Sequence, residues 1–319
     1  MVLSLGGGGN RTMAHIAVIH FLEKMRATKF ISEVWGTSGG SLIALLYSLG
    51  LKAEKIRETM ETLIGKGNKV QLTPSLFGIM KTLVKDLWGN TKENMKGFHD
   101  AREAFEIAIG HYVKDYKEKC PLFCLAYNTD NDQTEVLTPH EMPESMLGEW
   151  IFKAHPMDAV IASSSIPILF VPKVISNGKE RRVYVDGGTN EEIPSVSVYK
   201  KWIRERELGI ESRKKLLVIA VNVHAEFASL GFMDNWILRQ LPAFNYVNLT
   251  IKYADLIRKA RFEDQKRLLM SDSNVEFWDI HLGMKGGGLL SLEMVPKVIA
   301  NAERLVPMEF DRINQSLLI

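Results

Sequence analysis

Cysteine is scarce in this sequence: the 319 residues include two, Cys120 and Cys124, in a stretch that is typical of a β-strand. Because a strand advances about 3.3 Å per residue, the two thiols are roughly 13 Å apart and out of disulfide reach. A disulfide-stabilised scaffold is therefore excluded, and the unpaired thiols favour a reducing compartment.

Excess charge and long apolar runs are absent too. The 40 basic and 38 acidic residues give a net charge of +2, which is too balanced to favour nucleic acid as a partner. No apolar run approaches the roughly 18 residues that span a bilayer, and the first residues lack the charged start and apolar core of a signal peptide. We therefore expect a soluble globular protein that is cytoplasmic or peripheral to a membrane.

The order of predicted elements indicates the fold class. An apolar run, Val2 to Leu5, precedes a helical pattern at 12–26, a second strand at 33–36 and a second helix at 41–49. Such a compact strand–helix alternation requires parallel strands with right-handed crossovers. Further strands are predicted at 122–127, 135–138, 170–174, 182–185, 216–223 and 275–281, and a terminal helical region at 291–318. We expect one α/β domain over 1–319, with a mostly parallel central sheet flanked by helices and a helical insertion at about 53–115.

The strongest motif is Gly36-Thr37-Ser38-Gly39-Gly40, a G-x-S-x-G pentapeptide between a predicted strand and a predicted helix. A serine on such a sharp turn is held in a strained conformation with its hydroxyl exposed above the sheet. The flanking glycines relieve the crowding, and the helix N-terminus favours developing negative charge. The motif predicts a nucleophilic serine; the alternative is a glycine-rich turn with an incidental serine.

A run of glycines, Gly6 to Gly9, follows the first strand and leads into Asn10 and Arg11. Consecutive glycines let several backbone N–H groups converge on one anion. A phosphate-binding Walker A loop would end in Gly-Lys-Ser/Thr, and a dinucleotide fingerprint would have a third glycine where Thr12 stands. We prefer an oxyanion hole serving Ser38, because adjacent parallel strands bring both loops to one sheet edge.

The third motif, Asp186-Gly187-Gly188, directly follows the strand predicted at 182–185. A carboxylate at the carboxyl end of a strand lies where ligands bind in open α/β sheets. Alone this is a common turn sequence. Together with the two other motifs it supplies a base for Ser38.

In this order the motifs resemble the patatin-like phospholipase family over residues 3 to about 194. The matching blocks are Leu-Ser-Leu-Gly-Gly-Gly-Gly-Asn-Arg at 3–11 with Met-Ala-His-Ile-Ala-Val-Ile at 13–19, Gly-Thr-Ser-Gly-Gly-Ser at 36–41, Ala-Ser-Ser-Ser-Ile-Pro-Ile-Leu-Phe-Val-Pro at 162–172, and Tyr-Val-Asp-Gly-Gly at 184–188 followed by Pro194. The sequence departs from the family at Thr12, where glycine is usual, and at Glu191 and Glu192, where asparagines are frequent.

The resemblance implies a lipid acyl hydrolase, of the phospholipase A or lysophospholipase type, with a Ser–Asp dyad. Ser38 would be the nucleophile and Asp186 the general base. The family's oxyanion hole would correspond to Gly7, Gly8, Gly9 and Gly39, and the remaining motif positions are Arg11, Gly36, Gly40, Gly187 and Gly188. The substrate would be a phospholipid or another lipid ester at a membrane surface. No cofactor is expected, and the eight histidines show no metal-ligand spacing.

Two alternatives remain open. An α/β-hydrolase triad would combine Ser38 and Asp186 with His224 or His281, although that fold places several strands before the nucleophile. The other alternative is a catalytically silent lipid- or protein-binding module on the same fold.

Two kinds of segment are candidates for contact with a membrane. Leu76–Gly89 has a broad apolar side and a short polar side, which fits either a core helix or an interfacial lid. Basic clusters at 200–201, 213–215 and 258–261 are either solvated faces or attractors of anionic lipid.

Overall fold

The computed structural model describes residues 1–67, 101–167, 170–177, 180–223, 242–283 and 295–316. In these ranges nine strands form one sheet with helices packed on both faces, so the predicted α/β class is confirmed. The strands are β1 (Val2–Leu5), β2 (Glu33–Thr37), β3 (Leu122–Asn128), β4 (Gln133–Thr138), β5 (Ile151–Lys153), β6 (Lys173–Asn177), β7 (Glu180–Asp186), β8 (Leu216–Asn222) and β9 (Val275–His281).

The helices of the described ranges form two layers. They are α1 (Ala14–Lys24), α2 (Gly39–Ser48), α3 (Ala53–Gly67), α4 (Ala101–Val113), α5 (Pro156–Ser163), α6 (Val196–Glu207), α7 (Pro242–Met270) and α8 (Val295–Ser316). Alternate side chains of the strands point to opposite faces. Leu3 and Leu5 of β1 therefore pack in the core under α1, α2 and α8, whereas Val2 packs in the core under α6 and α7.

The sheet is parallel through its centre. The strand order is β5-β4-β3-β2-β1-β8-β9, and every pair from β3 to β9 along this path is parallel. The central strands are almost continuously apolar because both of their faces are covered. The carboxyl ends of β1, β2 and β8 therefore lie at one edge, where the loops that follow them meet.

One edge of β3 pairs with two strands in succession. Thr37, the last residue of β2, pairs with Leu125 in the parallel sense. Asp186, the last residue of β7, pairs with Ala126 in the antiparallel sense. Since Leu125 and Ala126 are adjacent, the ends of β2 and β7 meet at one point on β3.

The structure adds elements that the sequence pattern does not predict: β5, α5, α6 and the long helix α7. The strand expected at 170–174 forms instead at Lys173–Asn177, where it pairs with β7 as a hairpin. In the predicted insertion, α3 and α4 are helical as expected, and the rest of that interval lies outside the described residues. No helix in the described ranges has both the length and the hydropathy needed to cross a bilayer.

Candidate active site

Ser38 occupies the sharp turn between β2 and α2. Its backbone has φ 54° and ψ −131°, a conformation that non-glycine residues rarely adopt. The turn is tight enough to require glycine on both sides. A Cβ at Gly36 would lie 2.4 Å from Cα of Ser41, and a Cβ at Gly40 would lie 2.4 Å from the carbonyl oxygen of Leu5.

Serine hydroxyl groups form hydrogen bonds with both the backbone N–H and the backbone carbonyl of Ser38. The Ser38 N–H donates to Oγ of Ser163 at 3.0 Å, and the Ser38 carbonyl accepts from Oγ of Ser41 at 2.6 Å and of Ser164 at 3.0 Å. A strained conformation persists only where the surroundings determine it, and these three bonds do so here. The sequence motif at 162–172 does not predict this contact, although three consecutive serines at 163–165 are its one unusual feature.

The Asp186 carboxylate lies beside Ser38 because of the shared edge of β3. Its Oδ1 accepts from the N–H of Gly188 at 2.7 Å, and its own N–H donates to the carbonyl of Ser165 at 2.9 Å. The segment 163–165 therefore contacts both candidate catalytic residues. Gly187 must be glycine, since a Cβ there would lie 2.3 Å from the carbonyl oxygen of Leu125.

Burial raises the pKa of Asp186 from its ordinary value of 3.8 to about 6. A hydrogen bond from the Ser38 hydroxyl, the N–H of Gly188 and the positive charge of Arg258 act in the opposite direction, whereas Glu192 adds to the rise. Oδ2 of Asp186 is buried and has no hydrogen-bond partner in the described part of the chain. This carboxylate is ionised above pH 6 and has one oxygen available to accept a proton.

The glycine loop packs against the Ser38 turn. A Cβ at Gly7 would lie 3.3 Å from the Ser38 Cβ, and a Cβ at Gly39 would lie 2.9 Å from the Gly9 carbonyl oxygen. The Gly7 N–H donates to the carbonyl of Glu192 at 2.9 Å, so it is engaged in this conformation. The N–H groups of Gly8, Gly9 and Gly39 have no protein acceptor among the described residues. These three N–H groups are therefore available to bind a ligand anion.

The residues that depart from the family pattern have structural contacts. Thr12 lies in a right-handed 3₁₀ turn, Gly9–Met13, where a β-branched residue is tolerated, and its hydroxyl donates to the Gly9 carbonyl at 2.6 Å. The Glu191 carboxylate accepts from Ser195 and Ser197 at the start of α6. The backbone carbonyl of Glu192 accepts the hydrogen bond from the Gly7 N–H.

Buried His15 holds the other side of the glycine loop. Its Nε2 lies 2.8 Å from the Gly6 carbonyl oxygen, and burial lowers its pKa to about 4. The ring is therefore neutral at physiological pH and donates through Nε2 to the loop. Arg11, another motif residue, is also buried next to this loop.

Of the remaining sequence candidates, the structure describes His281 and the basic clusters, among them the one at 200–201. His281, at the end of the edge strand β9, has no hydrogen bond to Ser38 or Asp186 within the described ranges, and its N–H donates to Glu309. His224 and the segment Leu76–Gly89 lie outside the described residues. Lys201 is buried between Glu33 and Glu205, at 2.9 and 2.7 Å, so it is no part of a basic surface. The described residues include no group of three metal-ligating side chains.

Residues 3–197, more than half of the chain, match the model of a family described as Patatin-like phospholipase. Similar solved structures include VipD from Legionella pneumophila, with 13% identity and a TM-score of 0.43 over 98% of this chain and 66% of that one. Human GIVD cytosolic phospholipase A2 has 15% identity and a TM-score of 0.40 over 76% and 45% of the two chains. The type III effector protein ExoU has 11% identity and a TM-score of 0.38 over 98% and 52%. The chain thus spans less than two thirds of the length of each. No curated protein sequence matches it.

Proposed function

Because this chain belongs to the patatin-like phospholipase family, we propose that it hydrolyses carboxylic esters of phospholipids or related lipids through an acyl intermediate on Ser38. The match to the family model confirms the resemblance noted in the sequence. Membership of this family implies a lipid ester hydrolase. The observation that supports this mechanism best is the strained Ser38 beside a buried carboxylate whose pKa is raised to about 6.

The first step forms the acyl-enzyme. Asp186 accepts the proton of the Ser38 hydroxyl while Oγ attacks the ester carbonyl carbon. The carbonyl oxygen becomes an oxyanion, which the N–H groups of Gly8, Gly9 and Gly39 stabilise by hydrogen bonds. The C–O bond to the leaving alcohol then breaks, and Asp186 returns the proton to that oxygen.

The second step releases the fatty acid. Asp186 takes a proton from a water molecule, whose oxygen attacks the acyl carbon, and the proton then passes to Ser38 Oγ as the ester bond breaks. A base with a pKa near 6 is ionised at neutral pH and yet basic enough to take part in both steps.

Mass spectrometry of the products from defined phospholipids tests this proposal. We expect Ser38→Ala and Asp186→Asn each to lower ester turnover by about 10²–10⁴-fold or more without unfolding the chain. Near-normal turnover by either variant contradicts the dyad. An unmodified chain that releases no fatty acid supports the silent binding module instead.

Alanine at each histidine separates the dyad from the triad. We expect His281→Ala and His224→Ala to retain turnover, because Asp186 alone accepts the proton. Loss of activity in one of them with an intact fold would replace the dyad by the Ser–Asp–His alternative.

A further inference from the structure

Helix α7 exposes three large apolar side chains within two turns. Tyr253, Leu256 and Ile257 are 60%, 58% and 49% exposed. Residues spaced i, i+3 and i+4 share one face of a helix, so the three form a continuous patch, which we call the α7 apolar face. Exposed apolar side chains that adjoin one another are typical of surfaces that bind a partner or a membrane.

The opposite face of α7 fixes the helix to the domain. Phe262 and Leu269 are buried, the former in the core that also contains Trp202 of α6. Lys266 pairs with Asp279 of β9 at 2.8 Å, and Gln265 accepts from the Ser195 hydroxyl at 3.4 Å. Because this opposite face is packed against the domain, rotation of α7 to bury the apolar face would expose the residues that are now packed.

The charge around the α7 apolar face is positive. Residues 252–267 include six basic residues and three acidic ones, Asp255, Glu263 and Asp264, so this stretch of α7 has a net charge of +3. Exposed Glu263 is the acidic residue nearest to Leu256 along the helix face. Lys259 and Arg261 are exposed beside the apolar face. Exposed Asp264, one turn further on, is paired with Arg267 at 3.3 Å, which offsets its negative charge locally. Apolar side chains bordered by cations match the interface of a membrane that contains anionic lipid.

The same helix touches the turn that carries Asp186. Nη1 of Arg261 donates to Oδ1 of Asn190 at 2.9 Å, four residues after the aspartate. The charge of Arg258 acts on the Asp186 carboxylate itself. A surface that binds the α7 apolar face is therefore adjacent to the candidate active site.

We propose that the α7 apolar face docks on an anionic lipid surface. Tyr253, Leu256 and Ile257 enter the boundary between headgroups and acyl chains, and Lys259 and Arg261 contact lipid phosphates. This inference rests on the proposed function, since it identifies the surface from which the substrate would come. A second copy of the chain is a poorer occupant, because pairing the same face would bring its cations together.

Flotation of the chain with lipid vesicles tests the docking. The Ser38→Ala background prevents hydrolysis of the vesicles, which are made of phosphatidylcholine with or without phosphatidylglycerol. We expect preferential binding to the vesicles with phosphatidylglycerol, and at least about tenfold weaker binding after Leu256→Ser with Ile257→Ser. Lys259→Glu should weaken that binding and reduce its sensitivity to salt. Met308→Ser is the matched control, because Met308 is 60% exposed on α8, a different helix.

Three outcomes overturn the proposal. These are unchanged vesicle binding by the Leu256/Ile257 variant, equal binding to both vesicle types, and a dimer in lipid-free solution that this variant dissociates. The dimer would make a second copy the occupant. Melting temperatures of the variants show that each one remains folded.

Hydrolysis of a water-soluble short-chain ester separates this inference from the proposed function. In the chain with intact Ser38, we expect Leu256→Ser with Ile257→Ser to keep soluble-ester turnover within about twofold, since surface changes rarely disturb a folded site. A chain that binds vesicles through α7 but hydrolyses no ester retains the docking surface and refutes the function. A chain that hydrolyses the soluble ester but binds no vesicles supports the proposed function and refutes the docking surface.

Discussion

At the scale of single residues, burial and nearby charge have opposing effects on the pKa of Asp186. Burial raises its pKa, and the nearby hydrogen-bond donors and Arg258 limit the rise to about 6. A larger rise would leave the base protonated at neutral pH. A smaller rise would make Asp186 a weaker base for the proposed proton transfer from Ser38.

Removing the charge of Arg258 should move the pH dependence of turnover. Because a positive charge lowers the pKa of a nearby carboxylate, Arg258→Gln should raise the pKa of Asp186 and shift the acidic limb of kcat/KM to higher pH. At pH 8, where the base stays ionised, turnover should change by less than about threefold. The assay uses a soluble ester, so that lipid binding does not contribute.

Lys259→Gln is the control for that shift, since it removes the same charge from the outward side of α7. Its acidic limb should coincide with that of the unmodified chain. Equal shifts in both variants would mean that overall charge, rather than Arg258, sets the profile.

At the scale of elements, the end of α5 connects the two halves of the candidate site. Ser163 and Ser164 bind the backbone of Ser38, and Ser165 binds that of Asp186. The distance between Ser38 and Asp186 therefore depends on a helix end that has no part in the proposed chemistry.

Ser163→Ala should lower kcat by about 10–100-fold with a smaller change in KM. The substitution leaves the buried Ser38 N–H without its acceptor, which costs about 1–3 kcal/mol and weakens the hold on the strained turn. Ser163→Thr retains the hydroxyl and should restore much of the rate. Kinetics are compared with melting temperatures, so that lost turnover is separated from lost fold.

Ser165→Ala is the matched control in the same segment, because the Ser165 hydroxyl donates to the carbonyl of Ile161 in the preceding helix α5 and not to Ser38. It should keep kcat within about threefold. If Ser165→Ala lowers kcat as much as Ser163→Ala does, the contact with Ser38 is not what matters.

The sequence predicts the local parts of the site and misses the non-local ones. The Ser38 turn and the glycine loop follow from short-range patterns, because glycine spacing and apolar periodicity are encoded within a few residues. The antiparallel pairing of β7 with β3 depends on residues 60 positions apart in sequence, and no local pattern contains it. For the same reason the contact of Ser163 with Ser38 and the position of α7 emerge only in the folded chain.

At the scale of the whole molecule, the candidate base lowers stability. The native pKa of Asp186, about 6, exceeds its ordinary value of 3.8, so ionisation is less favourable in the folded than in the unfolded chain. This penalty is absent below pH 3.8, grows between 3.8 and about 6, and is complete above that.

Asp186→Asn should therefore stabilise the fold while removing activity. A difference of about two pKa units corresponds to roughly 2–3 kcal/mol at pH 8, and the gain should vanish as the pH falls toward 3.8. Denaturant unfolding across this pH range measures it. A variant that is less stable than the unmodified chain at pH 8 would contradict the expected sign.

Glu135→Gln is a control in which the expected change in stability has the opposite sign. Burial alone would raise the pKa of Glu135, but hydrogen bonds from Tyr184, Asn128, Asn131 and Gln133 lower it below 4.5. Its ionised form therefore stabilises the fold. Glu135→Gln should destabilise the chain at pH 8, and that loss should diminish as the pH falls below 4.5 toward the native pKa.

Because β2 and β7 pair with the same edge of β3, the proposed catalysis depends on whether the sheet opens locally there. Fraying of β7 from Ala126 to Asn128 would withdraw Asp186 from Ser38 while the parallel strands β1, β2 and β8 stay paired. Amide hydrogen exchange in β7 would then report the fraction of molecules in which Ser38 and Asp186 are apart. Heat inactivation would follow that opening, and it would precede the melting of the central sheet.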